Sequence, residues 1–168
     1  MNADAFRHFY NYHLAENRKI WDHVARLSFE QFTYPYEYSR GSVRDQIIHL
    51  IDAEEVWFCE LQGVEPAEPV SHTDSDDRPL LRARWDRVEE NTRAYLSELR
   101  DEMLFEKPIT FPEEDKDLTV WQVLLHVANH GTDHRAQLLR SLNDLGLETS
   151  YQDYIFYIFE HLTPQGGS

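Results

Sequence analysis

The sequence predicts an all-α fold: a four-helix bundle with a crossover connection and a short C-terminal helix. Three observations predict it. Four long stretches carry apolar residues at three- and four-residue steps, the period of a helix with one buried face. The six glycines and seven prolines gather between those stretches, as helix punctuation does. The length of 168 residues suits one compact core, since a domain takes roughly 100–200 residues. A domain over 1–163 with a flexible tail at 164–168 is expected.

The first helix runs from about Asp4 to Leu27. Phe6, Tyr10, His13, Asn17, Ile20, Val24 and Leu27 form one seam, and two of its members, His13 and Asn17, are polar. The connection after it, with Tyr34-Pro35 and Arg40-Gly41, exceeds the ~2–8 residues usual between neighbouring bundle helices, hence the crossover. The second helix opens at Ser42, a good N-cap with an acid three residues on at Asp45. It closes near Gln62-Gly63, where glycine suits a left-handed position. Residues 64–79 read as loop. The third helix covers Leu80 to Met103, with Trp85, Val88, Thr92, Tyr95 and Leu99 facing inward. Residues 104–118 hold two prolines and a run of charges, and an irregular connection or a small hairpin is expected there. The fourth helix starts at Thr119 as N-cap and stops before Gly146. A last helix spans Tyr151 to His161.

Sixteen Lys and Arg against thirty-one Asp and Glu give a formal charge of −15. Such a chain lacks the basic surface that displaces counterions from nucleic acid, and the positive charge that attracts anionic lipid. Residues 65–117 carry 16 of the acidic and 8 of the basic groups, a solvated helix face and acidic loops rather than a binding surface. The lone cysteine, Cys59, allows no internal disulfide and fits a reducing compartment. No apolar run reaches the ~18 residues of a spanning helix. The first residues, MNADAFRHFYNYH, show no basic segment followed by an apolar one. A cytoplasmic protein with no membrane or nucleic-acid partner is expected.

Nine histidines remain to be explained. His126, His130 and His134 lie at i, i+4 and i+8 on the fourth helix, and imidazoles four apart can reach one metal ion. At about 100° per residue, His134 falls inside the buried arc with Val123 and Val127, His130 on its edge and His126 furthest out. His130 and His134 are therefore the expected ligating pair, with His126 at the rim. Gly131 between them costs ~1 kcal/mol against Ala and suggests a close approach. A catalytic zinc site typically needs a third protein ligand. His13, on its seam, and His49, beside Ala53 and Gln46 on the second helix, are level for that role. His8, His23, His72 and His161 read as surface or hydrogen-bonded residues. The pair is no metalloprotease motif, because Gly131 stands where that motif has Glu. Nor does Leu50-Ile51-Asp52 supply the Glu-x-x-His pattern of a di-iron bundle.

Three stretches resemble the DinB family, the DinB/YfiT-like metalloenzymes. SVRDQIIHLIDAEEVW, residues 42–57, is similar to the family's second helix with its single metal-binding His. NHGTDHRAQ, residues 129–137, is similar to its Asn-His-Gly-x-x-His-Arg-Gly-Gln signature, and residues 143–160 to its Leu-Gly turn and terminal helix. Asn17 followed by Trp21 fits the first-helix pattern. Ala136 departs from the signature's Gly, a change expected to bear on helix packing. The resemblance implies that His49, His130 and His134 bind one divalent transition metal ion, with zinc, nickel, iron or manganese as options. It thus selects His49 over His13. It further implies a homodimer, and chemistry of the kind found in members that are transferases or an isomerase using low-molecular-weight thiols.

Three neutral imidazoles leave an ion its full charge. That charge lowers the pKa of bound water, to about 7 in favourable zinc sites, and favours the nucleophilic thiolate of a bound thiol. The expected function is a metal-dependent S-transferase that sets a small thiol against a small-molecule electrophile. The catalytic candidates are Asn17 as a contact near ligand or substrate, Glu54 as a buried paired carboxylate or proton carrier, and His126. Cys59 lies outside the second helix's apolar arc and reads as passive. The alternatives are a hydrolase in which the ion activates water, and a non-enzymatic stress-response bundle with a structural metal. An open coordination position separates enzyme from structural bundle; a fourth ligand such as His126 or His13 would close it.

Overall fold

The structure, a computed structural model, describes residues 1–70 and 75–161; His72 and the tail at 164–168 lie outside them. The described residues form α1 (Ala3–Val24), α2 (Phe29–Thr33), α3 (Val43–Gln62), α4 (Arg78–Glu98), a 3-10 turn (Asp101–Phe105), α5 (Val120–Asp144) and α6 (Tyr154–His161), with no strand among them. None of these helices is long and apolar enough to cross a membrane.

Local chemistry sets most boundaries. Asn2 caps α1 by accepting from the Ala5 N–H at 2.9 Å. Ser42 caps α3 by accepting from the Asp45 N–H at 3.1 Å, and Gly63 ends it at φ 65. Thr119 and Gln122 form the capping box of α5. The third helix stops at Glu98, short of the expected Met103. Arg7 of α1 donates to the carbonyls of Leu96 and Leu99 at 2.9 and 2.8 Å, a cation satisfying a helix C-terminus. The chain then extends, so that Leu99 and Leu104 both enter the core. Leu96 rather than Tyr95 takes the fully buried position on that face. No hairpin forms at 104–118, which is the 3-10 turn followed by irregular turns. The last helix starts at Tyr154 rather than Tyr151. Gln152 lies outside it, tied to α1 and α5, its carbonyl accepting from Tyr12 Oη at 2.5 Å and its side chain from Arg135 at 3.2 Å.

Both α1 and α3 pack against α4 and α5, so α1 and α3 stand diagonally opposite. The α1–α3 connection therefore crosses the bundle end, as its length predicts. It contains α2, an unexpected helix built on a Ser28–Gln31 capping box with Phe32 fully buried. The core falls into two apolar halves. One gathers Phe6, Tyr10, Phe58, Leu96, Leu124 and Val127; the other Ile20, Ile47, Ile51, Trp85, Val88 and Leu138. A belt of buried polar residues lies between them in every long helix: His13 and Asn17, Glu54, Thr92, and Arg135.

Candidate metal centre

The two faces of α5 at the level of this belt carry different chemistry. His130 and His134, four apart, face α3, where His49 meets them. Gly131 and Arg135, four apart and one position on, face α1.

His49 Nε2 lies 3.1 Å from His130 Nε2 and 3.2 Å from His134 Nε2. One ligand atom from each of the three lies within 4.8 Å of the others. Nitrogens bound tetrahedrally at ~2.1 Å from a zinc ion stand about 3.4 Å apart, so this spacing fits one ion. Burial pushes His49 and His130 down to about 4, with the charge of Arg40 adding to the fall at His49 and that of His134 at His130. His134 is also lowered by burial, against the opposing pull of Asp133. All three are thus neutral near pH 7, as a ligating imidazole must be. Among the described residues, these three histidines are the group of potential ligands spaced for an ion.

Gln46, buried one turn before His49, places its amide 2.6 Å from His134 Nδ1. The same amide nitrogen lies 3.2 Å from Gln137 Oε1, so Gln46 ties the His134 ring to α3 and fixes its orientation. His126 is exposed and rests edge-on to Trp57 at 5.0 Å between ring centres, outside the cluster.

His13 is 1% exposed and has neither nitrogen to spare. Arg135 Nη1 donates to its Nδ1 at 3.1 Å, and its Nε2 lies 3.3 Å from Glu54 Oε2. Guanidinium only donates, so Nδ1 is the acceptor and Nε2 carries the proton to Glu54. Burial lowers the His13 pKa, partly offset by Glu54. Glu54 also accepts from Thr92 Oγ1 at 3.1 Å, and Asn17 accepts from Arg135 at 2.8 Å. Glu54 and Asn17 thus belong to an internal network rather than to the histidine cluster. Arg135, wholly buried, is its cation, and burial pulls its pKa down while Glu16 and Glu54 hold it up.

Gly131 has a definite reason. A Cβ there would stand 2.4 Å from His13 Cε1 and 3.0 Å from Arg135 Nη1. Ala136, by contrast, is exposed, so the expected packing consequence of that position does not arise. Cys59 is half-buried, its thiol pKa raised by burial and by Glu55 and Glu60, which disfavours the nucleophilic form.

Three residues escape a reading by periodicity: Gln46, Arg135 and Arg40. The first two sit on buried arcs beside the histidines, where a polar side chain signals a partner without naming it. Arg40 lies on a loop and gives no periodic signal.

Three imidazoles converging between two helices of a bundle form a group that could hold one metal ion. The particular family follows from the whole chain: the DinB family model matches residues 1–166, and the protein belongs to the DinB family. Comparison with curated proteins yields no match.

Proposed function

We propose that the protein is a metal-dependent enzyme in which His49, His130 and His134 hold one divalent ion, and that it transfers the sulfur of a low-molecular-weight thiol to a small electrophile. The observation that carries this reading is the convergence of three neutral imidazoles with no fourth ligand beside them among the described residues. His13 is consumed by Arg135 and Glu54, and His126 lies outside, which favours an open, reactive site over a closed structural one. When bound, the ion supplies Lewis-acid charge that favours the thiolate. In the transfer, the thiol proton passes to solvent. A sulfur lone pair forms the new C–S bond, and the electrophile's leaving group departs with the electron pair of the broken bond. The chain's own part is to keep three imidazoles deprotonated by burial and to orient His134 through Gln46. Membership of the DinB family and the lone, unreactive Cys59 support a thiol brought from outside, in a reducing cytoplasm. A homodimer is part of the same proposal.

Metal analysis of the purified protein tests the first half. About one divalent ion per chain is expected, and His130→Ala or His134→Ala should abolish it; retention by the double variant ends the reading. Incubation of the loaded protein with thiols and alkylating electrophiles tests the second half, with a thioether as the expected product. Turnover that needs no thiol would replace the transferase with the hydrolase.

A further inference from the structure

The mouth of the cluster is occupied by a cation. Arg40 Nη2 lies 3.1 Å from His49 Nε2, the nitrogen that also faces His130 and His134. Its placement is built into the loop. Tyr36 Oη donates to the Ser141 carbonyl at 3.2 Å and Tyr38 Oη to Asp144 at 3.1 Å, tying residues 36–38 to the end of α5. Ser39 Oγ lies 3.0 Å from Gln46 Oε1 and 2.5 Å from Gln137 Oε1. Ser39 and Gly41, at φ 62 and 101, turn the chain on either side of Arg40 and return its side chain over the histidines. In a chain with thirty-one acidic groups, Arg40 forms no ion pair among the described residues. Asp133, the acid beside His134, instead accepts from Gln137 at 3.0 Å.

A guanidinium at this place opposes a bound cation by like-charge repulsion, unless an anion lies between the two. Its planar fork fits a carboxylate. We propose that Arg40 selects the substrate: a small molecule, thiol or electrophile, whose reacting end enters the histidine cluster and whose carboxylate, a few bonds away, pairs with Arg40. The inference rests on the metal-site reading above and adds a charge requirement to it.

The test uses the full chain loaded with cobalt(II) and three thiols of matched size: mercaptoacetate, 2-mercaptoethanol and cysteamine, which are anionic, neutral and cationic. The near-ultraviolet sulfur-to-cobalt absorption reads thiol binding, and the visible cobalt bands read binding of acetate. The wild type should bind mercaptoacetate about tenfold more tightly than 2-mercaptoethanol, the scale of one charge-assisted hydrogen bond at a partly exposed site, with cysteamine weakest. Arg40→Ala should bring the anionic and neutral thiols to within about twofold, and Arg40→Lys should restore part of the difference through charge alone. Acetate should shift the visible bands of the wild type more readily than those of Arg40→Ala. Equal affinity for charged and neutral thiols in the wild type, or a preference that survives Arg40→Ala, overturns the role of Arg40 and leaves the thiol reading intact. Acetate binding that depends on Arg40, with no absorption from any thiol, supports the anion site and overturns the thiol reading instead. Failure to load cobalt overturns both.

Discussion

The two faces of α5 present the same residue type in opposite roles. Toward α1, His13 is locked between Arg135 and Glu54, each ring nitrogen used and its proton position dictated. Toward α3, His49, His130 and His134 have only one another at their Nε2 atoms, apart from the exposed Arg40. Burial depresses the pKa in both places. What differs is the partner: a carboxylate and a guanidinium satisfy a histidine, whereas three imidazoles leave lone pairs for an ion. The contrast therefore lies in the partners each histidine has, not in its burial.

The largest expected effect tests the satisfied face. Arg135→Met removes the cation from a closed network and leaves Glu54 buried with a weakened set of partners, a change of the class that costs about 3–5 kcal/mol. Denaturant unfolding measures it. A loss under 1 kcal/mol would show that the network is incidental and dissolve the contrast. Next comes Gly131→Ala, which should destabilise by about 1–3 kcal/mol through the clash with His13, despite a helix-propensity gain of ~1 kcal/mol. A stabilised variant would mean that α1 yields easily.

The pH dependence of the ion-free protein comes third. His13, His49 and His130 have folded pKa values below the ordinary 6.5, the latter two at about 4. Between those values the unfolded chain binds protons that the folded chain refuses. Stability is therefore full above about pH 6.5 and is lost as pH falls toward 4. The Tm should decline over that range, and a flat profile would contradict neutral histidines in the fold. The smallest effect belongs to His126→Ala, which should bind metal almost normally. Loss on the scale of His134→Ala would extend the cluster to the rim.

Much of this was legible from spacing. The His130–His134 ladder and the outward turn of His126 follow from the wheel, and the caps at Ser42, Gly63 and Thr119 from residue type. Periodicity left His13 and His49 level, because each is a polar residue on or beside a buried arc; the separating facts are Arg135 and Glu54, contributed by other helices. Phe32 and its Ser28–Gln31 box were readable but short. The end of α4 depends on Arg7, some ninety residues earlier in the chain, which no local pattern reports.

The polar belt between the two apolar halves has a consequence for alignment. Sliding α5 by one turn, about 5.4 Å, would carry Arg135 away from His13 and Asn17 and in among leucines and valines, so the belt acts as a vernier for the vertical setting of the four helices. The 3.1 Å spacing of His49 and His130 is thus an inherited dimension, gauged from the far side of the helix that bears two of the three rings.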